Sequence, residues 1–261
     1  KTPRIFIILV SFSMFLILLS IIGTFSILKN LSGYISGIKL FVTHCFALEL
    51  LPLTILPMFR FSLPFIVAII LIFGLIRAIY KSLQKIKRNN QILRNFSKIS
   101  FEESPKLKKI INEFKLANSV FFFKSDNLLY AFSSGILQPK IYLSTGLVNN
   151  LSSEELRAVI LHEKYHIEHR DILKLFFILF FEDCLFFLPV YRWLSGAYRE
   201  LIEKIGDDKV VSLLGDPLNF AKTLLKVVKL NSTELPVGIG LSIVDRYPVE
   251  KRIKRLINRE E

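Results

Sequence analysis

Cysteine is scarce in this chain of 261 residues: Cys45 and Cys184 are its two examples, and both lie in apolar stretches far apart in sequence. No CxxC pair is present, which excludes a zinc ribbon or a thioredoxin-like redox site built on that spacing. The sequence also has no internal repeat and no low-complexity linker. The cysteines are therefore interpreted as small hydrophobic residues, and the chemistry of the chain must come from other side chains.

Acidic residues are outnumbered, with 22 Asp and Glu against 35 Lys and Arg, which gives a formal net charge of +13. The basic residues cluster in 81–94, 106–109 and 251–259, without a finger motif or interleaved stacking aromatics. Nucleic-acid binding is therefore not favoured. Basic residues beside apolar segments are instead typical of membrane proteins that follow the positive-inside rule.

Polar residues are few: hydrophobic residues make up 52% of the chain, the mean hydropathy is +0.46, and there are 24 Phe. An ordinary soluble domain is less apolar, so this composition indicates membrane spans. Residues 5–28 are interrupted only by Ser, Thr and Gly. That run is too long for a signal peptide and predicts a spanning helix. Residues 61–80 predict a second span, which ends at a basic run beginning with Lys81.

Two further apolar segments leave alternatives open. Residues 38–59 contain a histidine, a glutamate and two prolines, so they predict either a third span or, as we favour, a non-spanning segment. Residues 172–194 carry Glu182 and Asp183, and predict either a membrane segment or a helix in the interface, with the two acids in interhelical or interfacial contacts. Residues 1–80 thus form a transmembrane region of two or three spans. The basic run after it predicts that the following domain lies on the cytoplasmic side of the membrane.

The rest of the chain predicts a mixed domain. Residues 81–118 are polar with a helical pattern, which predicts a connector into a domain covering 119–261. Residues 121–147 are rich in β-branched and aromatic residues between turn signals, so they predict short strands, of which Lys140–Ser144 is the clearest. Either this strand or Tyr130–Ser134 could be an edge strand that binds a peptide backbone, or could simply complete the sheet. Further helices are predicted at 219–230 and 249–257.

One segment predicts a helix with a defined start. Ser152 and Glu155 fit a capping box, in which a hydroxyl and an acid three residues later each bond the other residue's backbone N–H. Apolar residues then follow at roughly helical spacing. The helix is expected to run through His166 toward Asp171.

This helix carries LHEKYH, residues 161–166, which contains the HExxH pattern of zinc metalloproteases. Residues four apart lie on one helix face about 6 Å apart, so His162 and His166 can both direct an imidazole nitrogen to one Zn²⁺. Glu163 projects about 100° round from His162, beside the ion rather than on it. Glu163 is therefore the candidate general base, which takes a proton from a zinc-activated water and passes it to the leaving amine. We expect one zinc ion per chain.

The third protein ligand must come from elsewhere. His169 is seven residues after His162, a rise of about 10.5 Å on a straight helix, and no glycine follows the motif to break that helix. His169 is therefore not expected to bind the same ion. Within YRELIEKIGDD, residues 198–208, Glu200 and Glu203 are both candidates by position.

HEKYHIEHRD at 162–171, followed by ELIEKIGDD, resembles the integral-membrane gluzincin metallopeptidases of the BlaR/MecR type. The CAAX prenyl protease and HtpX group is a more distant likeness. The resemblance covers roughly residues 120–256. It implies that Glu203 is the third zinc ligand, that Asp171 and Asp207 support the zinc-binding residues, and that Arg252 contacts the site from the last helix.

The chain departs from that family's pattern at a few positions. Lys164 and Tyr165 replace a small apolar pair, Gly206 replaces Ala or Cys, and Tyr247 stands where the more distant group has His. These departures are expected to affect catalytic efficiency and the choice of substrate. They do not change the residues that are predicted to bind the metal.

The predicted fold is α+β and mostly helical, with transmembrane helices and a zincin-like metalloprotease domain that has a small β-sheet and an HExxH helix. The expected function is a membrane-embedded zinc endopeptidase acting on a protein or peptide, with the lipid bilayer as its other partner and no nucleic acid. Two alternatives stay open: a BlaR/MecR-like signalling protease that cuts a repressor, and a non-catalytic membrane scaffold with a degenerate HExxH. The sequence does not indicate the oligomeric state.

Overall fold

The computed structural model describes residues 51–100, 104–126, 129–230, 240–242 and 249–258, together with isolated helical positions among the first 50 residues. The predicted span 5–28 and the first part of the segment 38–59 lie outside the described residues. The chain divides into two compact units, one with the residues up to 81 and 180–191, the other with 82–179 and the residues from 192 onward. The domain boundaries drawn from the sequence stay a prediction.

Helices dominate the described residues. The helices are α1 (Leu51–Arg94), α2 (Pro105–Glu113), α3 (Thr145–Asn150), α4 (Ser153–Glu168), α5 (Asp171–Cys184), α6 (Pro189–Leu214), α7 (Pro217–Leu230) and α8 (Val249–Ile257). The strands are β1 (Val120–Phe123), β2 (Ala131–Ser134), β3 (Lys140–Ser144) and β4 (Gly240–Ser242). A mostly helical chain with one small mixed sheet confirms the α+β class.

Helix α1 contains the predicted span 61–80 and continues without a break to Arg94, so the predicted connector begins as the last turns of the same helix. Within the described ranges, one helix, Ile66–Arg94, is long and apolar enough to cross a membrane by length and composition, with a mean hydropathy of 2.1 over an 18-residue window. Large apolar side chains on it, such as Ile69 and Phe73, are exposed.

The apolar segment 172–194 is not one continuous helix, because a turn separates α5 from α6. Helix α5 has 14 residues, fewer than the roughly 20 that a spanning helix needs. The segment is therefore not one long helix, and its two alternatives, a membrane segment or a helix in the interface, both stay predictions. Asp183 makes the expected interhelical pairing: Lys81 Nζ lies 3.0 Å from its Oδ1, and Arg77 donates to its carbonyl at 2.9 Å.

The sheet has the strand order β1-β3-β2-β4. Strand β1 is parallel to β3, and β2 is antiparallel to both β3 and β4. Strand β3 covers Lys140–Ser144, which confirms the clearest predicted strand. Both β2 and β3 are paired on each side, so the interpretation of either as a free edge strand is wrong for the sheet described here. Both complete the sheet instead.

Side chains alternate between the two faces of the sheet. The inward face joins a core shared with helices α2, α4, α7 and α8, and its apolar strand residues are Val120, Phe122, Ala131, Ile141 and Leu143. The outward face carries a separate aromatic cluster in which Phe132 and Tyr142 stack with ring centroids 5.0 Å apart. By the same alternation Ser133 faces inward, beneath α4.

Candidate metal centre

Helix α4 begins where the sequence predicted. Ser152 Oγ accepts a hydrogen bond from Glu155 N at 3.1 Å, and Glu155 Oε2 accepts one from Ser152 N at 2.7 Å, which completes the capping box. The apolar residues that follow are buried in the core. This anchoring also buries the motif: the exposed fractions of His162, Glu163 and His166 are 0%, 0% and 1%.

Helix α4 runs through His166, as predicted, and its last residue is Glu168. His169 is its C-cap, and Arg170 takes a left-handed conformation with φ of 51°. A turn thus separates α4 from the next helix, which starts at Asp171. The reversal brings Asp171 Oδ2 to 3.0 Å from His166 Nδ1.

His169 lies outside the cluster formed by the other two histidines of this segment. Its ring stacks on Tyr165 with centroids 3.9 Å apart, and its Nδ1 lies 2.9 Å from the Tyr165 carbonyl. The side chain is exposed. This placement agrees with the helical-rise argument that kept His169 apart from the metal-binding pair.

Three buried side chains converge: His162 and His166 from α4, and Glu203 from α6. The two histidine Nε2 atoms lie 3.0 Å apart. Glu203 Oε2 is 3.3 Å from His162 Nε2, and Oε1 is 3.6 Å from His166 Nε2. Glu200, the other candidate, is partly exposed and pairs with Lys204 at 2.6 Å. The structure thus brings Glu203, rather than Glu200, to the imidazoles.

A second layer of charge surrounds these three groups. Asp207 Oδ1 lies 3.4 Å from His162 Nδ1. The buried guanidinium of Arg252, on α8, lies 2.8 Å from Glu203 Oε2 through Nη1 and donates from Nε to Asp207 Oδ2 at 3.0 Å. The structure therefore places Asp171, Asp207 and Arg252 in contact with the three converging side chains, and the roles that the resemblance implies for them stay predictions.

The arginine sets the charge state of its partners. Burial alone would raise the pKa of Glu203, but Arg252 and the two histidines outweigh burial and lower it to about 2. Burial would lower the pKa of Arg252, yet Asp207 and Glu203 raise it well above its usual value. Glu203 is therefore an anion and Arg252 a cation throughout the physiological range.

Gly206 allows α6 to pass close to the imidazoles. A Cβ built at this position would lie 3.0 Å from His162 Cε1 and 3.4 Å from His166 Cε1. The first of these distances is closer than ordinary van der Waals contact. Because Gly206 has no side chain, the two imidazole rings can pack directly against the backbone of α6.

Replacing Gly206 with alanine is expected to stabilise the protein less than replacing Gly196 on the same helix. A glycine-to-alanine change inside a helix typically adds roughly 0.5–1 kcal/mol to the free energy of unfolding. A Cβ at Gly196 would meet nothing within 4 Å, whereas one at Gly206 would press on His162. Thermal unfolding of the full chain in detergent measures both changes. Equal gains in Tm would show that the imidazole moves aside freely.

Glu163 points toward β2. Ser133 Oγ donates a hydrogen bond to Glu163 Oε2 at 2.5 Å, while Oε1 is buried and has no hydrogen-bond partner among the described residues. Burial raises the pKa of Glu163 to about 7, although His166 and the Ser133 hydrogen bond act in the opposite direction. The sequence analysis missed Ser133. The signal that could have found it is the period-two alternation of β2, which turns a serine toward the motif helix.

The donor set fits a divalent metal ion. Two imidazoles and one carboxylate are the His₂Glu set of catalytic zinc sites, and their ligand atoms all lie within 4.8 Å of one another. Glu203 Oε2 lies beside the guanidinium of Arg252, but Oε1 is buried without a hydrogen-bond partner in the described structure. Buried acceptors of this kind are unfavourable unless a cation satisfies them. The residues present therefore suit an ion such as zinc.

Comparisons with known proteins converge on one family. The family model described as BlaR1 peptidase M56 matches residues 59–256. The regulatory protein BlaR1 of Bacillus licheniformis is 24% identical over 189 residues, which are 70% of this chain and 30% of that protein. This chain therefore spans about a third of the length of that relative.

One solved structure aligns along most of the chain. The crystal structure of S. mikatae Ste24p covers 97% of this chain and 80% of its own, with a TM-score of 0.45 and 15% sequence identity.

Proposed function

The chain belongs to the BlaR1 peptidase M56 family, and from this premise we propose that it is a zinc-dependent endopeptidase acting on a protein or peptide. The observation that carries the proposal is the convergence of His162, His166 and Glu203 in a buried cluster next to Glu163. Family membership supports proteolysis in general. The residue types of the cluster support zinc in particular.

His162, His166 and Glu203 would hold the ion. Asp171 and Asp207 lie beside the Nδ1 atoms of the two histidines, so the Nε2 atoms are left to face each other. Carboxylates in this position orient an imidazole and increase its basicity. When bound, zinc would lower the pKa of a water molecule and polarise the scissile carbonyl.

Glu163 is the proposed general base. It follows His162 directly in the chain, and its Oε1 is buried without a hydrogen-bond partner in the described part of the protein. The carboxylate would accept a proton from the attacking water and deliver it to the leaving amine. Burial of Glu163 keeps bulk water from exchanging that proton between the two steps.

We propose that this activity takes place at the bacterial cytoplasmic membrane, with the catalytic unit on the cytoplasmic side. Helix Ile66–Arg94 is apolar enough to span a bilayer. Basic residues concentrate on the C-terminal side of its apolar part, at Lys81, Lys85, Lys87 and Arg88. Loops and helix ends rich in Lys and Arg are retained in the cytoplasm.

A second candidate function is a signalling protease that cuts a repressor. The name of the Bacillus licheniformis relative, a regulatory protein, favours it. A non-catalytic scaffold is less favoured. Burying two carboxylates and two imidazoles lowers the stability of the fold, and a scaffold gains nothing from these residues that would offset the loss.

The full chain, purified in detergent, is expected to contain about one zinc ion per chain and to cleave fluorescein-labelled casein. Cleavage should stop on addition of o-phenanthroline and return with excess zinc chloride, because the chelator removes the ion that activates water. Zinc is measured by mass spectrometry of the element, and cleavage by release of fluorescence.

The non-chelating isomer m-phenanthroline is the control and should leave cleavage unchanged. A protein that contains no zinc although His162 and His166 are intact would favour the scaffold. Cleavage that persists at full rate in the chelator would contradict metal-dependent proteolysis.

A further inference from the structure

Ser133 is the polar exception on the inward face of the sheet. The other inward residues of β1, β2 and β3 in the core are Val120, Phe122, Ala131, Ile141 and Leu143, all apolar. Ser133 is 0% exposed. A buried hydroxyl is unfavourable unless it is hydrogen-bonded, so the partner of this serine accounts for its presence.

That partner is Glu163. Ser133 Oγ lies 2.5 Å from Glu163 Oε2 and 3.2 Å from the Glu163 carbonyl oxygen. The serine hydroxyl is the donor and the carboxylate oxygen the acceptor in this pair. The hydroxyl therefore occupies one carboxylate oxygen, while the other, Oε1, has no partner in the described structure.

We propose that Ser133 is a positioning residue for Glu163, whose Oε1 it directs toward the reacting water. The inference rests on the proposed function and adds a residue to it. Because the proton would arrive at Oε1, Oε2 stays an acceptor throughout. The bond from Ser133 can then hold the side chain both before and after the transfer.

The position of Ser133 in the sheet restricts the movement of its hydroxyl. Its backbone is in register with Ile141 of β3 on one side and with Leu241 of β4 on the other. A side chain on a strand paired on both sides moves less than one on a loop. Glu163 is thus held between a helix and a sheet.

The test uses Ser133→Thr and Ser133→Val, two variants of the same shape that differ in the hydroxyl. Both are made in the full chain in detergent and assayed with labelled casein. Threonine should retain most of kcat, whereas valine should lower it about tenfold or more, because a hydrogen bond to a charged group is lost. KM and zinc content should be the same in both variants, since the contacts of the hydroxyl are with Glu163 and not with His162, His166 or Glu203.

Ser134→Ala provides the matched control for loss of a buried serine hydroxyl. Ser134 is 1% exposed and points to the opposite face, where Asn89 Nδ2 lies 3.1 Å from its Oγ. This variant should leave kcat unchanged. A fall equal to that of Ser133→Val would mean that any buried hydroxyl of β2 has the same effect, and would overturn the inference.

Thermal unfolding of the zinc-free chain gives a readout without catalysis. The Tm of Ser133→Thr should exceed that of Ser133→Val by about 3–6 °C while Glu163 is present. In a Glu163→Ala background the difference should fall to less than half, because only the backbone oxygen remains as an acceptor. A difference of the same size in both backgrounds, or equal kcat for the two variants, would overturn the inference. A wild-type chain without zinc or cleavage would instead refute the proposed function, while the Tm comparison still reports the Ser133–Glu163 bond.

Discussion

Replacing Glu163 with glutamine is expected to lower kcat about a thousandfold while the zinc content stays at about one ion per chain. Glutamine has nearly the shape of glutamate, but its amide does not take up a proton near neutral pH. Glu163 is not among the three converging groups that could hold a metal ion, so metal binding should be unaffected. Initial rates of casein cleavage and elemental analysis of the same preparation measure the two quantities.

Glu168→Gln is the control, because it removes the same charge from the exposed end of the same helix. Glu168 pairs only loosely with Lys164, at 3.5 Å, and kcat should change by less than about twofold. If Glu163→Gln cleaves at the wild-type rate, another group is the base. If it behaves as expected, the same variant in membranes should hold the natural substrate long enough for its recovery and identification.

Replacing Glu203 with glutamine is expected to weaken zinc binding about a hundredfold or more. The change removes the one negative charge among the three converging side chains. The positive charge of the buried Arg252 would then no longer be balanced by Glu203, and it would repel a metal cation. Changes outside the first coordination layer already cost 10–100-fold in comparable sites. Competition with a chromophoric zinc chelator measures the affinity. Glutamine is preferable to alanine, because it fills the same volume beside the buried guanidinium.

Glu200→Gln is the matched control on the same helix. Glu200 pairs with Lys204 at 2.6 Å and is partly exposed, so its replacement should change zinc affinity by less than about twofold. The opposite ranking, with Glu200→Gln the weaker binder, would reassign the third ligand. Equal affinities for both variants and the wild type would show that neither acid contributes to binding.

Features set within one stretch of chain could be predicted from the sequence. The start of α4 depends on Ser152 and Glu155, which lie three residues apart in one turn, and the structure contains the capping box. The approach of His162 to His166 depends on helical spacing alone, and their Nε2 atoms lie 3.0 Å apart. Strand β3 was likewise evident from its own composition.

Features set by packing between distant segments could not be predicted in this way. The choice between Glu200 and Glu203 depends on the rotation of α6 against α4, which local pattern does not encode; only the family resemblance favoured Glu203. The turn between α4 and α5 could not be predicted, because Arg170, a residue that rarely takes a positive φ, makes it where a glycine would have been expected. Ser133 was missed because its role depends on which helix lies over β2.

Asp171 links the first turn of α5 to the imidazole of His166 on α4, so movements of the two are coupled. It is the first residue of α5, where a carboxylate is favoured by the helix dipole, and it also holds the ring of His166. Fraying of the first turn of α5 would therefore release this imidazole at the same moment. The free energy of that local opening sets how often the coordinating side chains are correctly oriented. A helix that supplies no metal donor of its own would thereby influence how long an ion stays bound.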